Sequence, residues 1–259
     1  MNVVDASAEP AIAITLPGLP WGKASAICID SATDAASIAF VDRGEVVAEQ
    51  QWRTGFSHTQ QLASRVKGLA AESRFELRSA KLVCVCTGPG SFNGIRTGMA
   101  TAIGLAAGLA VPIYGSSALD LIAFPHADRA PAQRAVLPGG RGEHYSALFG
   151  TRGGRWRRIS PYAVAPLEQL AAESPAKCLW CGVFSDEDYE TLGRLLGGAR
   201  RIVSPPHNVR RAAYLLPLAM AAAASGAEGR VDDLRPLYLR KPAITSPRTR
   251  PAVGDAVLP

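Results

Sequence analysis

Thr87–Leu109 reads TGPGSFNGIRTGMATAIGLAAGL, and the fold turns on what this glycine-rich stretch does. The residues before it, KLVCVC from Lys81 to Cys86, form a short apolar, β-branched run that predicts a buried strand. Strand, tight turn and helix then follow one another. Such a junction aims the backbone N–H groups of the turn at whatever sits above the strand, which is how helix N-termini hold anions. The spacing, however, departs from the known phosphate fingerprints. Gly88, Gly90 and Gly94 give G-x-G-x-x-x-G, without the Lys-Ser/Thr pair of a P-loop or the acidic residue of a dinucleotide fold.

The helical part carries the stronger signal. At about 100° per residue, Gly94, Gly98, Ala102 and Ala106 form a ladder of small residues on one face. Phe92, Ile95, Met99 and Ile103 line the adjoining face, and Gly104 and Gly108 add a second small strip. Arg96 is the only charge, so the helix must be covered on more than one side. Interior glycine costs up to about 1 kcal/mol relative to alanine, so several of them call for close backbone approach. The pattern leaves two arrangements open: a central helix inside one chain, or a helix with its sheet on one side and a partner protein on the other.

Working outward, 259 residues with 47% hydrophobic content suffice for one large domain or two lobes of about 100 residues. The net charge of +6 permits contact with nucleic acid without requiring it. Arginines gather at Arg152, Arg155, Arg157 and Arg158, and again at Arg200–Arg201 and Arg210–Arg211. Five cysteines, with Cys28, Cys84 and Cys86 inside apolar strand-like runs, suit small buried hydrophobes in a reducing cytosol. Cys178 and Cys181 form C-x-x-C, but neither a second such pair nor a histidine pair completes a zinc site. The four histidines, His58, His126, His144 and His207, are widely separated, so no metal site is expected. The apolar runs Met99–Tyr114 and Ala212–Ala224 are too short to span a membrane and are broken by glycine or proline.

An α/β rhythm runs along the chain. Residues 1–24, with Pro10, Pro17 and Pro20, are expected to be an irregular extension. Ala26–Phe40 holds two strands around a polar turn, and Glu45–Trp52 a third. Ser57 is expected to cap a helix bearing Leu62, Val66 and Leu69. Pro112–Gly115 is a strand that closes a first lobe, residues 25–116. A second lobe, residues 117–240, is expected to hold strands at Arg134–Leu137 and Lys177–Gly182 and a hairpin around Gly150–Arg155. Its helices are placed at Leu167–Glu173, Asp186–Leu196 and Asn208–Ser225. The proline-rich residues 241–259 are expected to be a disordered tail. Two α/β lobes that each begin with antiparallel strands and then turn to helix and strand are what an actin-like or sugar-kinase-like ATPase would show. In such a fold Asp30-Ser31-Ala32-Thr33 would lie near a nucleotide phosphate and its metal; otherwise it merely closes a hairpin.

Taken together, CIDSATDAASIAF, FSHTQQLASRVKGL, TGPGSFNGIRTGMATAIGLAAGLAVPIYGSSALD, GRGEHYSALF and PLYLR, in that order, resemble the TsaB (YeaZ) family from about Ala26 to Arg240. The long G-P-G-S-F-x-G-I-R-x-G run is the specific part. The resemblance implies an α/β, two-lobed actin/Hsp70-like (ASKHA) fold and a noncatalytic subunit of the bacterial machinery that makes threonylcarbamoyladenosine beside the anticodon of tRNAs. Its partners would be the paralogue TsaD, which transfers the threonylcarbamoyl group, the ATPase TsaE, tRNA through the complex, and a second copy of itself when alone. It further implies that His58–Ser73 and Phe92–Leu109 meet TsaD as a helical bundle, which assigns His58, Leu62, Val66, Leu69, Ile95, Gly98, Met99, Ala102 and Ile103 to the interface. Asp30, Thr33, Gly88, Gly90 and Ser91 become candidate vestigial phosphate-binding groups, and ATP or ADP with magnesium at the complex interface the candidate cofactor.

The chain also departs from the family's pattern. Asn93 stands in place of threonine, Gly139-Gly140-Arg141 in place of Asp-Ala-Arg, and Gly182-Val183-Phe184 in place of Gly-Asp-Gly. Actin-like ATPases use second-lobe acidic groups to position metal and water, so their loss argues against hydrolysis. No spacing supports a Ser-His or Cys-His peptidase site. An actin-like ATPase or small-molecule kinase, and a paralogue that scaffolds another protein, remain the alternatives.

Overall fold

In the computed structural model, residues 14–15, 24–53, 58–198 and 201–240 are described. The elements run β1 (Ile14–Thr15), β2 (Ala26–Asp30), β3 (Ala35–Asp42), β4 (Glu45–Arg53), α1 (His58–Ser73), β5 (Leu82–Cys86), α2 (Phe92–Leu109), β6 (Ile113–Ser116) and α3 (Ala118–Ala123). There follow β7 (Ala132–Gly140), β8 (Glu143–Arg152), β9 (Arg155–Arg158), β10 (Ala163–Ala165), α4 (Leu167–Ala172), β11 (Cys178–Gly182), α5 (Asp186–Leu195) and α6 (Leu215–Ala224).

Both lobes follow one plan. The first sheet has the order β4-β3-β2-β5-β6: an antiparallel meander extended by two parallel strands. The second has the order β1-β9-β8-β7-β11, again antiparallel until the parallel β7–β11 pair, with β10 also on β8. Crossovers between parallel strands need helices, and helices cover both sheets. Side chains alternate along β2: Ile29 lies beneath α2, while Cys28 faces α6 at Leu216. This is the two-lobed actin/Hsp70-like arrangement expected from the sequence.

α2 is started by Ser91, whose side chain accepts a hydrogen bond from Gly94 N at 3.2 Å, and ends at Ala110 in the left-handed conformation. Its packing against α1 and β5 joins the core that runs through both lobes. A smaller core, built on Trp180, Val136 and Leu170, lies under α4 and α5.

Three segments differ from the sequence expectation. Ile14–Thr15, inside the extension expected to be irregular, adds a strand to β9, with Thr15 opposite Arg155. Asn208–Arg211 is not helical, and α6 begins only at Leu215. There the Asn208 side chain accepts from Gly182 N at 2.9 Å and donates to Val203 O at 2.7 Å, so side chain to backbone bonds replace the first helical turn. α6, placed by sequence in the second lobe, packs against β2, β5 and β6 of the first sheet. Residues 241–259 and Ser57 lie outside the described residues.

Candidate functional site

The C-terminal ends of β2, β5 and β6 open toward the cleft between the lobes, where open α/β sheets bind ligands. The five candidate phosphate-binding residues do meet there, but the chain's own groups occupy them. Asp30 is fully buried, and its Oδ2 accepts a hydrogen bond from Arg210 Nε at 2.8 Å, while its Oδ1 accepts from Ala32 N at 3.0 Å. The second arm of the Arg210 guanidinium donates to Thr33 Oγ1 at 2.8 Å and to Ala35 O at 3.0 Å. Burial alone would lower the Arg210 pKa; the Asp30 carboxylate outweighs it and leaves the group above its ordinary value. A guanidinium thus stands beside the carboxylate where a phosphate-bound metal would need it free. Sequence reasoning misses Arg210, because that segment reads as the start of a helix.

The glycine-rich turn is engaged in the same way. Ser91 N donates to Ala32 O at 2.6 Å, and a side chain at Gly90 would collide with that carbonyl. Gly88 O accepts from Ala118 N at 2.7 Å, and Thr87 O from Leu237 N at 2.8 Å. Leu237 belongs to a C-terminal strap, Leu234–Arg240, that crosses the cleft. Tyr238 packs on Phe92 with ring centroids 5.1 Å apart, and Arg240 pairs with Glu143 while donating to Gly139 O at 2.9 Å. Two cavities remain beside the strap. One of about 330 Å³ lies among Phe92, Arg141, Tyr145 and Tyr238; one of about 240 Å³ lies among Tyr114, Asp120, Arg158 and Tyr162. Neither contains the buried Asp30 pair.

The helix pair presents a different surface. Of the nine residues assigned to a partner interface, Leu62, Val66, Ile95, Gly98, Met99 and Ala102 are buried in the chain's own core. Leu69 and Ile103 are half-buried against it, and the His58 side chain lies outside the described set. The ladder Gly94, Gly98, Ala102 and Ala106 therefore faces inward. A Cβ at Gly98 would strike Ser31 Oγ, whose hydroxyl donates to Gly94 O at 2.8 Å, so close approach to the first turn explains this glycine. The second strip stays open: Ala100, Gly104, Ala107 and Gly108 are exposed, and a Cβ at either glycine meets nothing within 4 Å. On α1, Ala63, Lys67 and Ala71 are exposed as well.

Among the described residues, no group of three or more metal-binding side chains is gathered, and no helix is long and apolar enough to cross a membrane. All five cysteines are buried and free. Cys178 and Cys181, three apart on β11, point to opposite sheet faces, and burial raises both thiol pKa values, that of Cys178 to about 11. Ser204 Oγ and His207 Nδ1 lie 2.9 Å apart, but they close a single exposed turn.

The chain is similar to known proteins in sequence and in overall fold. Residues 52–178 match the family model described as TsaD: tRNA N6-adenosine threonylcarbamoyltransferase. The tRNA threonylcarbamoyladenosine biosynthesis protein TsaB of Escherichia coli (strain K12) is 29% identical over 228 residues, 83% of this chain and 94% of that protein. The protein of the same description from Bacillus subtilis (strain 168) is 23% identical over 217 residues, 83% and 93% of the two chains. A crystal structure of an uncharacterized protein with similarity to peptidase YeaZ from Pseudomonas aeruginosa superposes with a TM-score of 0.69. It is 25% identical, over 84% of this chain and 100% of that one.

Proposed function

Because the chain belongs to the TsaB/YeaZ family, we propose that it serves tRNA threonylcarbamoyladenosine biosynthesis as a noncatalytic subunit that binds a TsaD-type partner. The open strip on α2 carries this reading. A helix that is apolar nearly all round has one small-residue face buried on its own sheet and a second, Ala100, Gly104, Ala107 and Gly108, exposed. Such a face is complete when another helix lies on it. The exposed residues of α1 extend it, so α1 and α2 together offer one half of a helical bundle.

Chemistry is assigned to the partner. Arg210 neutralises Asp30, Ala32 O occupies Ser91 N, and the strap crosses the cleft, so the groups that would hold a phosphate and its magnesium are engaged within the chain. ATP or ADP is placed at the surface shared with the partner instead. A TsaE-type ATPase and tRNA, modified beside its anticodon, join through the assembled complex.

The test is reconstitution with the TsaD-type protein of the same cell. The wild-type chain should form a stoichiometric complex and release no phosphate from ATP on its own. Gly104→Leu should leave the isolated chain folded and weaken the complex by about ten- to hundred-fold, as overpacking costs about 1–3 kcal/mol. Unchanged affinity for this variant, or magnesium-dependent ATP turnover by the isolated chain, would overturn the proposal.

A further inference from the structure

The β8–β9 hairpin carries a charge arrangement that the packing of the lobe does not require. Its turn is Gly153–Gly154, with φ of +58° and +73°, a two-residue reversal that suits the twist of the strands and holds them in fixed register. Directly flanking it, Arg152 and Arg155 face each other across the ladder. Like charges opposite one another destabilise a sheet, so folding alone gives no reason for this pair. Arg157 lies two residues along β9, on the same face and roughly 7 Å away. All three are exposed, and among the described residues none is held in an ion pair.

The scaffold beneath is rigid. Trp156, between the two β9 arginines, points the other way and is fully buried; it stacks on Phe149 at 5.1 Å and donates to Gln133 Oε1 at 2.9 Å. On its outer side β9 is paired with β1. Three guanidinium groups are therefore held close together on a fixed surface with no internal anion. Guanidinium forks bind phosphate oxygens bidentately, and a cluster of them matches a chain of closely spaced phosphates better than a single carboxylate.

We infer that Arg152, Arg155 and Arg157 form a contact surface for the phosphate backbone of RNA. This rests on the proposed role in tRNA modification and adds that the chain itself touches the tRNA. The contact positions the RNA without reading its sequence, since only phosphates are engaged.

The experiment measures binding of unmodified tRNA to the full chain across a salt series, for the wild type, the triple variant Arg152→Gln/Arg155→Gln/Arg157→Gln, and a control, Arg53→Gln/Arg78→Gln/Arg194→Gln, with the same charge change. Three lost phosphate contacts reduce the slope of log affinity against log salt by about 2. A fourfold rise in salt then costs the hairpin variant about sixteen-fold less affinity than the wild type, while the control keeps the wild-type slope. The hairpin variant should melt at or above the wild-type temperature, because it relieves the Arg152–Arg155 repulsion. Equal effects of both triple variants, or no effect of either, would overturn the inference. Complex formation with the TsaD-type protein is measured on the same samples. Its failure in every form would count against the proposed function, while the comparison of salt slopes still decides the RNA surface.

Discussion

Replacing Arg210 by methionine should be among the most destabilising single changes in the first lobe. The guanidinium is 4% exposed and Asp30 is 0% exposed, so solvent cannot compensate either charge once its partner is gone. The change also removes the bonds to Thr33 Oγ1 and Ala35 O. Breaking a buried pair in this way costs about 3–5 kcal/mol. For a chain of this size each kcal/mol lowers the melting temperature by about 2–4 °C, so the expected fall is about 6–20 °C. Urea unfolding of the wild type, Arg210→Met, Asp30→Asn and the double variant closes a thermodynamic cycle. The double variant should recover much of the loss, because no uncompensated charge then remains, and the two effects should fail to add by more than 1 kcal/mol. Simple additivity, or a cost below about 1 kcal/mol for Arg210→Met, would refute the view that this guanidinium neutralises the carboxylate.

Gly98→Ala should destabilise the isolated chain by about 1–3 kcal/mol, because the new Cβ displaces Ser31 and breaks its bond to Gly94 O, whereas Gly104→Ala should stabilise it by up to about 1 kcal/mol. Equal effects in urea unfolding would mean that the two strips are not distinguished by packing. His126 is buried, and desolvation, with Arg129 and His207 nearby, lowers its pKa to about 4. An unfolded histidine titrates near 6.5, so the unfolded chain takes up the proton first as pH falls. Stability should therefore be lost between pH 6.5 and 4, by on the order of 1–3 kcal/mol, and His126→Gln should flatten that part of the melting temperature profile.

Local pattern determined a good part of this protein. Alternating strands with a two-residue turn specify the Ala26–Arg53 meander, and an apolar strand followed by a serine-capped glycine-rich helix specifies Leu82–Leu109. Both depend on neighbours within one or two turns of chain, which periodicity records. The same periodicity revealed two small-residue strips on α2 but gave no way to choose between them. The choice fell to Ser31, about seventy residues earlier, whose hydroxyl lies where a Gly98 side chain would be. Likewise Asp30 and Thr33 were legible as a polar turn near a ligand site, while their partner Arg210 stands 180 and 177 residues away, in a segment that resembled a helix start. The strand at Ile14–Thr15 was hidden because two residues carry no periodicity and pairing comes entirely from β9. Sequence determined most of the elements; only tertiary structure decided which groups are consumed inside the fold and which face outward. Contacts between distant segments depend on where the chain returns, and local spacing carries no record of that.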